Sequence, residues 1–223
     1  MDDGRQLTLD LAHAESFAPE DFLQSPANAA AFGAVDAWPE WPSPTLALVG
    51  PEGSGKSHLS AIWAARAGAR FLSGRALALG GVPEALATGA LVLEDVAPGA
   101  VDERALFHLL NLVQEKESHL LITTLSPPAG WKVRIADLAS RLRALPVATL
   151  APPDDALLRA VLVKLFADRQ LGVDEGLVSF LAQRIERSFT GAKAAVERLD
   201  REALRRQRPV TRALAAEMLK GEA

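Results

Sequence analysis

Short apolar segments alternate with helical patterns along the first 150 residues of the chain. Each apolar segment is only a few residues long, which is typical of strands that are buried on both faces. Between them, residues 56–66 and 102–116 repeat apolar side chains at helical spacing. This alternation predicts an α/β fold with a mostly parallel sheet and helices on both faces. The predicted strands are Thr45–Val49, 69–72, 90–93, His119–Thr124 and 147–150.

The alternation stops after Leu150, where a proline-rich break precedes helical patterns only. Asp154 ends this break and is a suitable N-cap for the first helix. Apolar spacing predicts helices over 155–169, 174–187, 191–207 and 211–220. We therefore expect an N-terminal tail over residues 1–14, an α/β core over residues 15–150 and a small helical lobe over residues 151–223.

The composition of the 223 residues is that of a globular protein, with 49% hydrophobic and 23% charged residues and a formal net charge of −4. Because cysteine is absent, disulfides, thiolate metal sites and a cysteine nucleophile are excluded. The N-terminus lacks the features of a signal peptide, and no segment has the roughly 18 consecutive apolar residues of a membrane span. We expect a soluble, cytoplasmic protein without a membrane partner.

A glycine-rich segment directly follows the first predicted strand. Residues 50–57 read Gly-Pro-Glu-Gly-Ser-Gly-Lys-Ser and match the pattern G-x-x-x-x-G-K-[ST] in full. In this motif, backbone N–H groups surround phosphate oxygens at a helix N-terminus. Lys56 is expected to reach the terminal phosphates and Ser57 to bind Mg²⁺. The residues predicted to bind the nucleotide are Gly50, Gly53, Ser54, Gly55, Lys56, Ser57 and His58.

An acidic pair, Glu94-Asp95, follows the third predicted strand. In a parallel sheet this position faces the phosphate loop, where one carboxylate supports Mg²⁺ and its neighbour orients an attacking water. We predict both as catalytic residues, with Glu94 and Ser57 as metal ligands. The usual order is Asp followed by Asp or Glu, so hydrolysis by the chain itself stays open. An ordinary solvated pair at a strand end is the alternative.

Six fragments carry a resemblance to a known family. They lie at residues 15–17, 50–59, 91–96, 106–115, 120–124 and 137–142. Together they resemble the AAA+ ATPases of the bacterial replication-initiator clade, the DnaA/Hda family, over about residues 15–220. The sequence Asp-Leu-Ala-Ser-Arg-Leu at 137–142 is the most diagnostic of them. The resemblance implies a P-loop NTPase (AAA+) core with a five-stranded parallel sheet, a C-terminal helical lid, and ADP or ATP with Mg²⁺ as ligands.

Two features favour the shorter Hda-like members of this family. DnaA continues into a helix-turn-helix DNA-binding domain, for which we expect no room after the helical lobe. Residues 6–11, Gln-Leu-Thr-Leu-Asp-Leu, resemble peptides that dock on the bacterial sliding clamp, the beta subunit of DNA polymerase III. In that comparison Gln6 and Leu7 begin the motif, while Leu9 and Leu11 bury in an apolar depression of the clamp. An unremarkable tail or an amphipathic first strand is the alternative.

The resemblance implies a negative regulator of DNA replication initiation. Hda-like proteins bind a clamp on DNA and stimulate ATP hydrolysis by DnaA, which becomes inactive. The implied partners are DnaA, the sliding clamp, DNA indirectly through the clamp, and further copies of the chain in a homo-oligomer. Two alternatives are a catalytically idle adaptor that holds ADP and a helicase-loader-type AAA+ ATPase that binds single-stranded DNA. A small-molecule kinase agrees less well with the helical lobe.

Arg141 and Thr123 take their expected roles from the same resemblance. Arg141 matches an arginine finger, whose guanidinium stabilises charge on the γ-phosphate of a neighbouring subunit. Arg143 is the substitute candidate. Thr123, or else Thr124, matches the polar residue called sensor 1, which contacts the γ-phosphate or the attacking water. The alternative for this position is a strand threonine satisfied by the backbone.

The lid arginine called sensor 2 is replaced in this sequence. Thr190 stands at the matching position, with Arg187 and Lys193 about one helical turn to either side. We predict that Arg187 binds the nucleotide in its place, with Lys193 as the alternative.

Overall fold

The computed structural model describes residues 22–220, in which five strands form one sheet and nine α-helices surround or follow it. The predicted clamp-binding residues Gln6, Leu7, Leu9 and Leu11 lie outside the described residues. In chain order the elements are α1 (Ala29–Asp36), β1 (Thr45–Val49), α2 (Lys56–Ala67), β2 (Arg70–Ser73), α3 (Val82–Ala85), β3 (Ala90–Glu94), α4 (Glu103–Glu115), β4 (His119–Thr124), α5 (Ala136–Ala144), β5 (Val147–Thr149), α6 (Asp155–Asp168), α7 (Glu175–Ala182), α8 (Phe189–Arg206) and α9 (Arg212–Lys220).

The five strands pair in the order β2-β3-β4-β1-β5, and every pair is parallel. The predicted parallel sheet is therefore confirmed, with all five strands in place. β4 lies between β1 and β3, so that Thr123 pairs with Leu48 and Ile122 pairs with Leu93. This order brings the carboxyl ends of β1, β4 and β3 side by side at one edge of the sheet.

Each face of the sheet carries its own hydrophobic core. Leu91 and Leu93 of β3 belong to the cluster that includes the buried residues of α4 and α5. Val92 of the same strand belongs to the other cluster, with Trp63 of α2. Alternate residues of a strand point to opposite faces, which explains how one short apolar run supplies both cores.

The helical lobe has a third core of its own, formed by α6, α7, α8 and α9. Its first helix begins as the sequence predicts, because the Asp154 side chain accepts a hydrogen bond from the backbone N–H of Leu157 at 2.7 Å. No helix within residues 22–220 combines the length and the apolar character needed to cross a membrane.

The junction between α7 and α8 differs from the prediction. Apolar spacing extends the predicted helix to residue 187, but α7 ends at Ala182. Ile185 lies in the following loop and packs against the core of the helical lobe, which we also call the lid. Ser188 then begins the next helix as its N-cap, accepting a hydrogen bond from the N–H of Gly191 at 2.9 Å. Helical spacing alone could not locate this turn, because Ile185 is partly buried in either arrangement.

Candidate functional site

The phosphate loop joins β1 to α2 through two left-handed glycines. Gly53 has a φ of 64° and Gly55 a φ of 94°, a region that side chains rarely tolerate. Gly55 is also the N-cap residue of α2. Because glycine has no side chain to cap the helix, the first N–H groups of α2 and the positive end of its dipole remain for an anion.

Lys56 is buried against the loop, with 7% of its surface exposed. Its Nζ donates hydrogen bonds to the carbonyl oxygens of Gly50 and Pro51, each at 2.8 Å. Burial lowers the pKa of Lys56, while the carboxylates of Asp95 and Glu52 oppose that shift. The ammonium is therefore held by oxygen atoms of the loop, at a place where phosphate oxygens could replace them.

Thr123 supports the acidic side of the site. Its hydroxyl accepts a hydrogen bond from the backbone N–H of Asp95 at 3.0 Å, and its carbonyl accepts one from Val96 at 2.9 Å. Asp95 has a φ of 52°, which is unfavourable for a residue with a side chain. The two hydrogen bonds hold this turn after β3, and Asp95 lines a pocket at this edge of the sheet.

Thr124, the alternative sensor residue, instead connects β4 to the phosphate loop. Its carbonyl accepts a hydrogen bond from the N–H of Gly50 at 3.1 Å, and its hydroxyl donates to the carbonyl of Ser126 at 3.3 Å. Neither threonine is among the residues that line the pocket. The hydroxyls of both threonines form hydrogen bonds with backbone atoms, which is the arrangement of the alternative interpretation.

The two members of the acidic pair have different surroundings. Asp95 is exposed and lines the pocket, whereas Glu94 is half-buried and does not line it. Burial raises the pKa of Glu94, and the neighbouring charge of Asp95 raises it further. The sequence assigned the metal to Ser57 and Glu94, but the structure brings Ser57 and Asp95 to the pocket. The reason is the left-handed turn at Asp95, which a sequence pattern does not show.

A pocket of about 760 Å³ lies at the carboxyl edge of the sheet, a volume typical of small-molecule sites. Gly50 and Ser54 are not among the residues that line it. Within the described part of the chain, the buried Ser54 hydroxyl has no hydrogen-bond partner. The predicted site residues that line the pocket are Gly53, Gly55, Lys56, Ser57, His58 and Asp95.

The wall of the pocket also includes residues that the motifs did not identify. Ser73 and Arg75 come from the end of β2, Leu125 follows β4, and Phe189 comes from the lid. The first two could have been found from the sequence, because the carboxyl ends of parallel strands share one edge. Phe189 could not, because its position depends on how the lid packs.

The lid packs directly on the phosphate loop. The backbone N–H of Phe189 donates a hydrogen bond to the carbonyl of Gly53 at 2.8 Å. A Cβ atom on Gly55 would lie 2.9 Å from the Phe189 ring, so that only glycine allows this approach. His58, which follows the loop, meets Phe22 edge to face, with ring centroids 5.4 Å apart.

This packing decides which lid side chains face the pocket. Thr190 and Lys193 line it. Arg187 does not, since it forms an exposed ion pair with Asp155 at the beginning of α6. The sequence placed Arg187 at the nucleotide, and the structure instead brings its alternative, Lys193, to the pocket. Arg187 precedes the Ser188 N-cap, so it belongs to the connecting loop and not to α8.

Arg141 lies on α5, away from the pocket of its own chain. Its Nη1 donates to the side-chain oxygen of Gln114 at 3.2 Å, and its guanidinium lies 5.8 Å from the centre of the Phe107 ring. Both contacts are with uncharged side chains of α4, and they orient the guanidinium without neutralising its charge.

The chain has the fold of several solved structures, whereas no protein-family model matches it. Domain III of the replication initiation protein DnaA from Thermotoga maritima is 19% identical, with a TM-score of 0.76 over 93% of this chain and 97% of that one. AMPPCP-bound DnaA from Aquifex aeolicus is 16% identical, with a TM-score of 0.66 over 83% of this chain and 67% of that one. The Holliday junction branch migration motor RuvB of Thermotoga maritima is 16% identical, with a TM-score of 0.63 over 79% and 61% of the two chains. The chain therefore has the predicted fold, a five-stranded parallel sheet with flanking helices and a C-terminal helical lobe, which it shares with DnaA domain III and RuvB.

Proposed function

We propose that the pocket binds an adenine nucleotide, ATP or ADP, together with Mg²⁺. The observation that carries this proposal is the convergence of Lys56, Ser57 and Asp95 on one pocket at the N-terminus of α2. The ammonium and the helix N–H groups suit phosphate, and the hydroxyl and carboxylate are the oxygen ligands that Mg²⁺ prefers. The similar structure of Aquifex aeolicus DnaA with AMPPCP supports adenine as the base.

Different side chains of the pocket would bind the phosphates and the Mg²⁺ ion. Lys56 would exchange a loop carbonyl for a phosphate oxygen, which makes a stronger, charge-assisted hydrogen bond. Ser57 and Asp95 would hold Mg²⁺, which neutralises charge on the terminal phosphates when it is bound. The hydrogen bond from Asp95 to Thr123 positions that carboxylate before any nucleotide enters.

We further propose that the chain is a negative regulator of replication initiation that acts on nucleotide held by DnaA. Arg141 would supply the arginine finger, and its position away from its own pocket supports an action on a neighbouring subunit. The contacts with Gln114 and Phe107 leave its charge available for a phosphate of the partner. Gln6, Leu7, Leu9 and Leu11 would dock the chain on the sliding clamp, and DNA would be reached through that clamp.

The test is ATP hydrolysis by DnaA in the presence of clamp-loaded DNA and this chain. Wild-type chain should accelerate the reaction, and Arg141→Ala should lose most of the acceleration, since an arginine finger contributes about 10³-fold or more in comparable systems. Arg143→Ala, exposed on the same helix, is the matched control and should stimulate normally. Normal stimulation by Arg141→Ala would contradict the finger assignment, and loss in Arg143→Ala alone would transfer it to that residue.

A second candidate function is a catalytically idle adaptor that holds ADP. The specific observation in its favour is that Glu94 does not reach the pocket, so that Asp95 would have to serve both the metal and the attacking water. ATP turnover by the purified chain alone separates the two candidates in part. An adaptor shows no turnover and also no effect on ATP hydrolysis by DnaA.

A further inference from the structure

Arg75 enters the nucleotide pocket from the far edge of the sheet. It lies on the short turn Gly74–Ala76 directly after β2, and it lines the same pocket as Lys56 and Asp95. None of the motifs of the sequence includes it. Its position is set by the fold, because β2 and β3 pair in parallel and end together.

The turn that carries Arg75 is anchored on both sides. Gly74 is buried so closely against the end of β3 that a Cβ atom there would lie 3.0 Å from the Cα of Val96 and 3.2 Å from the carbonyl oxygen of Glu94. Leu77, two residues beyond Arg75, is buried in the core on the α4 side of the sheet. The backbone of Arg75 is therefore fixed beside the acidic turn at Asp95.

The guanidinium of Arg75 differs from those of the nearby arginines. Arg70, on the preceding strand β2, pairs with Glu84 at 2.9 Å, and Arg66 pairs with Asp36. Within residues 22–220, Arg75 has no hydrogen bond or ion pair, although it is exposed and lines a pocket that also contains the carboxylates of Glu52 and Asp95. Its five N–H donors remain for a ligand with several acceptor oxygens.

We propose that Arg75 binds the terminal phosphate of a nucleoside triphosphate in this pocket. The inference rests on the proposed nucleotide function and adds an arginine that binds the third phosphate. The phosphate loop and Lys56 lie at the β1 side of the pocket and Arg75 at the β2 side, so Arg75 would contact the phosphate that lies farthest along the phosphate chain from the loop. Arg75 lines the pocket there, and its planar fork matches two phosphate oxygens. The chain then distinguishes a triphosphate from a diphosphate through its own arginine.

The experiment compares the affinity of the full chain for Mg²⁺ with AMPPCP and for Mg²⁺ with ADP by titration calorimetry. Arg75→Ala should weaken AMPPCP binding by about tenfold or more and leave ADP binding unchanged, because charge-assisted hydrogen bonds have about that effect. Arg70→Ala, on the strand that precedes Arg75 but outside the pocket, is the matched control and should leave both affinities unchanged. Arg75→Gln is the second variant and should behave as Arg75→Ala does.

The outcomes separate this inference from the function on which it rests. Failure of the wild-type chain to bind either nucleotide would contradict the proposed nucleotide site itself. Unchanged AMPPCP binding by both Arg75 variants would overturn the inference and leave that site intact. An equal loss of affinity for AMPPCP and ADP would also overturn it, since Arg75 would then not recognise the third phosphate.

Discussion

The backbone N–H of Asp95 donates a hydrogen bond to the hydroxyl of Thr123, with the nitrogen and Oγ1 3.0 Å apart. Thr123 is 2% exposed in the middle of the sheet, and Asp95 has a φ of 52° at the edge of the pocket. Asp adopts the left-handed region more readily than most residues with a side chain, but the region remains sparsely populated. The threonine therefore stabilises the turn that presents the pocket carboxylate, and it acts by positioning Asp95.

We predict that Thr123→Val weakens both the fold and the site. The N–H of Asp95 loses its acceptor, so the free energy of unfolding should fall by about 1 kcal/mol or more. Binding of Mg²⁺-nucleotide should weaken as well, because the carboxylate is no longer held in place. Denaturant unfolding and nucleotide titration measure the two effects. Thr123→Ser keeps the acceptor and is the control; a Val variant with wild-type stability and affinity would contradict the positioning role.

Two lid residues can be tested as a matched pair. Lys193 lines the pocket, whereas Arg187 pairs with Asp155 outside it. We predict that Lys193→Ala weakens nucleotide binding by about tenfold, the usual effect of losing one charge-assisted hydrogen bond. Arg187→Ala should leave the affinity unchanged, because exposed ion pairs contribute little. Nucleotide titration of both variants measures the two effects, and the reverse result would support the prediction that Arg187 binds the nucleotide.

The sequence predicts the fold well because the strands and helices are encoded by local patterns. The apolar run at Thr45–Val49, the loop at 50–57 and the cap at Asp154 each contain the information that shapes them. The parallel order of the strands follows from their alternation with helices. Because each strand is encoded by residues that are neighbours in sequence, the predicted bounds of the five strands agree with the observed bounds to within one residue.

The side chains that enter the pocket depend on contacts between distant residues. Asp95 replaces Glu94 at the pocket because Thr123, on another strand, holds its turn. Lys193 replaces Arg187 because the N–H of Phe189 bonds to Gly53 and sets the orientation of α8. A motif gives the residue types and their spacing, but these long-range hydrogen bonds determine which of two neighbouring residues faces the ligand.

Glu94 gives the fold a dependence on pH. Burial, and then the charge of Asp95, raise the pKa of Glu94 above its usual value of 4.5. The charged form is therefore less favourable in the folded chain than in the unfolded one, and the folded state loses stability as the pH rises above 4.5. We predict that Glu94→Gln increases the free energy of unfolding at pH 7 and that this gain disappears below pH 4.5, where Glu94 is protonated in both states.

Denaturant unfolding at a series of pH values measures this difference. Glu115→Gln, at the exposed end of α4, is the control for the loss of one negative charge and should show a smaller gain at pH 7. A gain for Glu94→Gln that is the same at acidic and neutral pH would show that packing, and not ionisation, is responsible.

The proposed clamp peptide can be separated from the nucleotide site by mutation. We predict that the double variant Gln6→Ala with Leu9→Ala loses clamp binding, because it removes one polar contact and one apolar anchor of the motif. Nucleotide affinity should stay unchanged, since both positions precede the phosphate loop by about forty residues. Asp10→Ala changes a position between the anchors and is the matched control, for which clamp binding should persist.

Binding to an immobilised clamp measures the effect, and an unchanged affinity of the double variant would refute the assignment of the tail. Such a result would leave the nucleotide site as it stands and would remove the reason to place the chain at the clamp.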